Sequence, residues 1–155
     1  MSDSGYENNP SGLKLVFADD GYSLETATED VTATFALVRD ALGKLLVLKN
    51  ERGWDIPGGH LDSGETVIEA THREVLEEAS VTIKNLNFFA FLLNGDTAMS
   101  VFTAEPDEIR EFVIHEEDPT SDRTFMDAEE FMSVYSGGDK VIMKGLLDRL
   151  PTIEV

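Results

Sequence analysis

Cysteine is absent from this sequence, and its absence excludes several kinds of chemistry. Disulfide bonds, thiolate metal sites and cysteine nucleophiles all need a sulfur that the chain does not have. Any bound metal ion must therefore be held by oxygen or imidazole ligands. The redox compartment stays undetermined, because proteins of every compartment can lack cysteine.

Basic residues are scarce: 12 lysines and arginines stand against 31 aspartates and glutamates, so the formal net charge is −19 at pH 7. Binding along a nucleic-acid backbone needs clustered basic residues that displace counterions, and we therefore expect no nucleic-acid duplex as a partner. The simplest interpretation of the acidity is a strongly solvated surface. A polyphosphate substrate would be repelled by this charge unless bound divalent cations reversed its sign locally.

Long apolar runs are also missing. No stretch is long enough to cross a bilayer, and the N-terminal residues lack the basic start and apolar core of a signal peptide. We therefore expect a cytoplasmic protein with no membrane partner. The length of 155 residues fits one domain. We predict a flexible, polar segment at residues 1–12 and a single domain at residues 13–155.

Apolar and β-branched stretches separated by turn signals predict a series of strands. Residues 31–38 and 44–48 indicate a hairpin of buried strands around a turn at 40–43. Asn94-Gly95-Asp96 is a strong hairpin signal between strands at 86–93 and 99–103. Further strands are predicted at residues 13–17, as an edge strand, and 81–83, with loops over 51–59 and 105–122.

Helical spacing appears in three places. Over residues 63–79 it puts Ile68, Val75 and Ala79 on one apolar stripe, with Ala70 and Thr71 beside it. Two more helices are predicted near the end, at residues 128–135 after a capping Asp127 and at about 139–150. Strands around an internal helix, with helices again at the end, predict an α/β fold, specifically an α/β/α sandwich with a mixed β-sheet.

A carboxylate cluster lies on the first of these helices. Glu74, Glu77 and Glu78 have the spacing i, i+3 and i+4, so they project from one face as neighbours. Their charges repel one another, a cost that bound divalent cations would turn into a gain. Mg²⁺ binds few carboxylates and prefers to share phosphate oxygens of a substrate, which suits this cluster. The pattern therefore indicates a platform for metal and phosphate.

Residues around the cluster suit the same chemistry. Pro57-Gly58-Gly59 offers a backbone without side chains that can approach a phosphate or present a carbonyl to a metal. Arg73 follows Glu69 by four residues and precedes Glu77 by four, so it can hold carboxylates in position. Glu65 lies near the helix start, where an anion is favoured and from which it can reach Arg73.

These residues together resemble the Nudix box. Gly59 is followed after five residues by Glu65, and after seven more by Arg73-Glu74-Val75-Leu76-Glu77-Glu78-Ala79-Ser80-Val81, so every charged position of that pattern is present over residues 59–81. The strand and helix order from about residue 31 to 150 is also similar to the Nudix fold. One position departs: Ser80 stands where the family has glycine, which usually forms a left-handed helix cap. A serine there would cost about 1 kcal/mol or force a different helix exit.

The resemblance implies a Nudix hydrolase that uses Mg²⁺ or Mn²⁺ and water to cleave a phosphoanhydride bond of a nucleoside diphosphate linked to another group. Carried over residue by residue, it makes Glu74, Glu77 and Glu78 metal ligands, with the Gly59 carbonyl as a further one. Arg73 and Glu65 would orient these ligands.

The resemblance leaves the remaining roles less closely defined. Gly58 and Gly59 would contact substrate, and Glu77 is the first choice of general base. His115, Glu116 and Glu117 form a second source of a base or ligand, if their loop lies over the site.

Several substrates and partners stay open. The proline or tyrosine that often marks family subclasses is missing, since Asp96, Thr97, Ala98 and Met99 occupy that region, which weakens ADP-ribose and dinucleoside polyphosphates as candidates. We expect an ordinary or oxidised nucleoside triphosphate first and a nucleotide sugar second. Two further hypotheses are a catalytically silent nucleotide-binding module and an isoprenoid diphosphate isomerase, which would want a catalytic cysteine. A homodimer is also expected.

Overall fold

The architecture comes from a computed structural model that describes residues 11–117 and 119–153. Of the predicted flexible segment, only Ser11 and Gly12 fall within these residues. The described elements are, in chain order, β1 (Lys14–Phe17), β2 (Asp30–Val38), β3 (Leu45–Asn50), β4 (Gly53–Asp55), β5 (Gly58–His60), α1 (Val67–Ala79), β6 (Val81–Asn94), β7 (Thr97–Ile109), β8 (Asp122–Met126), α2 (Ala128–Val134) and α3 (Lys140–Asp148). In the described part of the chain, no helix is both long enough and apolar enough to span a membrane.

The larger sheet has five strands in the order β1-β6-β7-β2-β5. It is mixed, because β2 runs parallel to β7 while the other pairs are antiparallel. The predicted edge strand is β1, and the predicted hairpin joins β6 to β7, with Asn94 opposite Thr97 and Gly95 at a φ of 62°. The strands predicted at 81–83 and 86–93 are one strand, β6, whose pairing with β7 is interrupted by bulges.

The smaller sheet corrects two expectations. Its order is β4-β3-β8, so β2 and β3 lie in different sheets and share only the isolated bridge between Arg39 and Leu45. The predicted hairpin was wrong because β3 pairs with β4 along one edge and with the distant β8 along the other, which leaves no edge for β2. The predicted loops at 51–59 and 105–122 contain β4, β5, the end of β7 and the start of β8.

Helix α1 begins at a capping box. The Thr66 side chain accepts from the Glu69 N–H, and the Glu69 side chain accepts from the Thr66 N–H. Its buried residues are Ala70, Thr71, Val75 and Ala79. The predicted stripe was wrong at Ile68, which is 48% exposed, because the buried face turns toward Ala70 and Thr71 instead.

The helices lie on opposite sides of the strands. Val75 and Ala79 of α1 pack in one apolar cluster with Ala36 and Val38 of β2. The intervening residue, Leu37, belongs to a second cluster that contains residues of the C-terminal helices: Phe131, Ile142, Met143 and Leu146. Neighbouring residues of one strand thus face different helix layers, and the predicted α/β fold with a mixed sheet is confirmed.

Candidate active site

Arg73 is the centre of a group of ion pairs on α1. Its Nε and Nη2 donate to the two carboxylate oxygens of Glu65 at 2.7 and 3.0 Å, which is a bidentate contact. Its Nη1 lies 2.9 Å from Glu74 and 3.3 Å from Glu77. The hydrogen bond from Arg73 holds the pKa of Glu65 below its usual value, and the same contacts raise the pKa of Arg73. Arg73 therefore stays charged and fixes these carboxylates.

Strand β5 brings two glycines against α1 and β2. A Cβ on Gly59 would lie 2.8–2.9 Å from the carboxylate atoms of Glu74, and one on Gly58 would collide with Phe35 and the Thr34 carbonyl. The Gly58 N–H donates to Glu78 Oε1 at 2.9 Å. Only glycine allows the strand backbone to approach the helix carboxylates this closely.

The three glutamates line one open cleft of about 470 Å³, together with His115, Glu117 and Pro119. Glu77 is the most accessible, with 59% of its side chain exposed, whereas Glu74 is only 14% exposed. Burial raises the pKa of Glu74, and the neighbouring Arg73 only partly offsets this rise.

The second group of predicted bases or ligands is His115, Glu116 and Glu117, and only part of it lies at the cleft. His115 and Glu117 line the cleft, and Glu116 is exposed and does not line it. Sequence could not decide this division, because the course of the segment at residues 111–117 depends on contacts with residues distant in the chain.

A divalent cation fits the donors of the cleft. Among residues 11–117 and 119–153, no group of three or more His, Asp or Glu side chains is preassembled at metal-binding distances. The cleft nevertheless gathers three carboxylates whose mutual repulsion a cation would relieve, and Glu74 and Glu78 lie directly against the backbone of Gly59 and Gly58. Carboxylate and carbonyl oxygens suit Mg²⁺ or Mn²⁺.

A second, largely apolar cavity of about 250 Å³ lies on the other face of the large sheet. Phe35, which packs against Gly58, is part of its wall, and so are Asp55 and Ile56 just before β5. Burial raises the pKa of Asp55, and burial with the nearby Asp55 charge raises the pKa of Tyr135 to about 12. The cavity thus joins apolar walls to a few polar groups.

Comparison with known proteins gives the family. The NUDIX domain model matches residues 30–137, which is most of the chain and includes the whole cleft. The chain belongs to the Nudix family. The predicted family is thereby confirmed.

Similar proteins include one curated enzyme and two proteins of solved structure. The chain is 36% identical over 39 residues to the 8-oxo-dGTP diphosphatase of Buchnera aphidicola subsp. Acyrthosiphon pisum; the match covers 25% of this chain and about a third, 32%, of that protein. A mutant of the Bacillus subtilis pyrophosphohydrolase BsRppH superposes with a TM-score of 0.68 at 17% identity, covering 94% of this chain and 97% of that one. MutT of Aliivibrio salmonicida or Vibrio cholerae superposes with a TM-score of 0.59 at 14% identity, covering 77% of this chain and 98% of that one.

Ser80, the departure from the Nudix box, keeps the left-handed helix exit. Its φ and ψ are 57° and 39°, and its N–H donates to the Leu76 carbonyl. The sequence left two outcomes for Ser80: a left-handed cap at a cost in stability, or a different exit from the helix. The structure shows the left-handed cap, which carries the cost in stability.

Sequence analysis missed two residues at this Nudix site. Asp62 lies 3.2 Å from Arg73 Nε and adds a carboxylate to the ion-pair group; its place three residues before Glu65 was the available signal. Arg123 reaches the end of α1 from β8. No local pattern indicates that contact, because 43 residues separate Arg123 from Ser80.

Proposed function

We propose that this chain is a metal-dependent Nudix pyrophosphohydrolase that cleaves an ordinary or oxidised nucleoside triphosphate by attack of water on phosphorus. The observation that carries the proposal is the cleft lined by the three glutamates of α1, in which Arg73 holds Glu74 and Glu77 and the backbone of Gly58 and Gly59 lies against Glu78 and Glu74. Cytoplasmic location and a homodimer stay predictions.

Glu74, Glu77, Glu78 and the Gly59 carbonyl would hold Mg²⁺ or Mn²⁺. When bound, the metal supplies charge neutralisation for the phosphates and lowers the pKa of water. Arg73 and Glu65 orient the carboxylates, because the bidentate pair between them restricts the rotamers of both side chains. Gly58 and Gly59 would contact the substrate through their backbone, because they lie against Glu78 and Glu74 at the edge of the carboxylate cluster.

Glu77 is our choice of general base. It is the most exposed of the three α1 carboxylates, so it can accept a proton from an attacking water, and its contact with Arg73 is longer than that of Glu74, at 3.3 Å. Glu117 and His115 are the second choice, because they line the same cleft, and Glu116 is the weakest of the predicted candidates.

The apolar cavity would take the base of the nucleoside. Typical small-molecule pockets span roughly 300–1,000 Å³. The cavity, at about 250 Å³, lies just below this range, so it suits the ring system of one base better than two nucleosides. Asp55 in its wall can accept hydrogen bonds from N–H groups of a base. The 8-oxo-dGTP diphosphatase relative supports an oxidised purine nucleoside triphosphate as the first substrate to test.

A substrate panel tests the proposal. Release of phosphate or pyrophosphate is measured from ordinary and oxidised nucleoside triphosphates, nucleotide sugars, ADP-ribose and dinucleoside polyphosphates, with Mg²⁺, Mn²⁺ or chelator. We expect triphosphate turnover that the chelator abolishes. Metal-dependent turnover of a nucleotide sugar alone would replace the substrate, and no turnover across the panel would favour the silent nucleotide-binding module.

The variant Glu77→Gln tests the site itself. It removes a charged ligand and the proposed base with little change of shape, so we expect kcat to fall about a hundredfold or more while the fold is kept. The matched control is Glu129→Gln, an exposed glutamate on α2, for which kcat should change by less than about twofold. Turnover of Glu77→Gln at the wild-type rate would contradict the assignment of the cleft.

A further inference from the structure

Arg123 makes an unusual set of contacts for an arginine in so acidic a chain. Its guanidinium donates to three backbone carbonyls, those of Ala79 and Ser80 at the end of α1 and that of Arg110 just after β7. The ring of Phe112 lies beneath it, with 5.4 Å from Cζ to the ring centroid. One side chain therefore joins the end of the carboxylate-bearing helix to the start of the segment at residues 111–117.

The helix end is a natural acceptor for this cation. The last carbonyls of a helix have no partner within the helix, and they carry its partial negative charge. Arg123 satisfies two of these carbonyl positions, and the Arg110 N–H also donates to the Ser80 carbonyl at 2.9 Å. Strand β8 is itself paired to β3, so the guanidinium projects from a fixed backbone.

The joined segment leads directly to the cleft. Three residues beyond Phe112 is His115, and both His115 and Glu117 line the cleft with the glutamates of α1. Glu117 and the glutamates of α1 carry like charges that repel one another. The net charge of −19 strengthens the tendency of this acidic segment to move away from the helix. An anchor at the base of the segment opposes that movement.

We propose that Arg123 is a positioning residue that holds residues 111–117 against the end of α1, so that His115 and Glu117 stay at the cleft. This proposal rests on the proposed function and adds the requirement that residues 111–117 be held at the cleft. Without the clamp, the segment would move outward, the cleft would lose the donor groups of His115 and Glu117, and kcat would fall while substrate affinity in the separate apolar cavity would be kept.

The kinetic test compares Arg123→Ala with Arg110→Ala. The Arg110 side chain contacts the exposed Glu108, and its backbone carbonyl survives the substitution, so it is a matched control. For Arg123→Ala we expect kcat to fall about ten- to hundredfold, with KM changed by less than about threefold and more Mg²⁺ needed for half-maximal rate. For Arg110→Ala all three should stay within about twofold. Unchanged kcat in Arg123→Ala would overturn the proposal.

A double-variant comparison separates positioning from helix capping. In a chain that already carries Glu117→Gln and His115→Ala, the segment has nothing left to position, so Arg123→Ala should lower kcat by less than about twofold further. An equal loss in both backgrounds would mean that Arg123 acts through the helix end alone, and the proposal would fail.

Amide hydrogen exchange makes the test independent of turnover. Faster exchange at residues 111–117 in Arg123→Ala, but not in Arg110→Ala, is the expected result, and equal exchange overturns the clamp. If no diphosphate is cleaved by the wild type, the proposed function fails while this measurement still decides the clamp. If Arg123→Ala does not fold, Phe112→Leu takes its place, because it removes only the ring contact and should shift exchange and kcat in the same direction.

Discussion

Ser80 holds a backbone conformation that its side chain makes costly. A Cβ in the left-handed region crowds the following carbonyl, and only glycine, and to a lesser degree asparagine, adopts this region freely. Two other residues at Ser80, Arg110 and Arg123, bind its carbonyl, so the exit of α1 is held in place by its neighbours. The local cost is thus tolerated because several contacts depend on this direction of the chain.

Ser80→Gly should therefore stabilise the protein by about 1 kcal/mol without changing kcat. The free energy of unfolding in urea measures the change. Asn85→Gly is the control, since Asn85 has a similar φ of 55° but tolerates it better and would lose its hydrogen bond to Glu105. If Asn85→Gly raised the free energy of unfolding as much as Ser80→Gly does, the explanation by left-handed strain at Ser80 would be contradicted.

At the scale of elements, the start of α3 is tied to the N-terminal side of the chain. The Asp139 side chain accepts from the Ile142 N–H as a helix cap and from both the N–H and the hydroxyl of Ser11. Burial of Asp139 would raise its pKa, but these hydrogen bonds prevail and lower it.

The sign of this shift gives a prediction for pH. A carboxyl whose pKa is lower in the folded state stabilises the fold above its unfolded pKa, and that contribution is lost as pH falls through the folded value. The stability gap between wild type and Asp139→Asn should therefore be full near pH 7 and shrink under acid conditions. Urea unfolding from pH 7 to 3 measures it, and a gap that grows toward low pH would contradict the argument.

Local patterns predicted the elements that local interactions form. The spacing of Glu74, Glu77 and Glu78 placed them in one cleft because a helix fixes neighbours three and four residues apart. The hairpin after Asn94 was likewise correct, since its turn residues are adjacent.

Elements that depend on distant partners were missed. Strands β4 and β5 have three residues each, with glycines, and show no alternation to detect. Arg123 and the apolar cavity arise from packing between distant parts of the chain, so no short window of sequence contains them. The predicted hairpin of β2 and β3 was wrong for the same reason, because β3 pairs with the distant strand β8.

At the scale of the whole molecule, metal binding should be visible as stability. Bound cations stabilise the folded state by mass action, and here they also relieve repulsion among the cleft carboxylates. We expect MgCl₂ to raise Tm by about 3 °C more than NaCl of equal ionic strength. Differential scanning calorimetry measures this difference, which Glu74→Gln should largely remove. Equal effects of both salts would show general screening in place of a site.

The parallel pairing of β2 with β7 has a consequence for how the molecule is made. Everything between these strands, including the two glycines and all the charged residues of α1, belongs to one long crossover connection. Pairing across so large a sequence separation is slow and comes late in folding. During synthesis, a nascent chain that has not yet released β7 carries every residue of the Nudix box but lacks the sheet that organises them, and it exposes unpaired, mostly apolar strands to the chaperones around it.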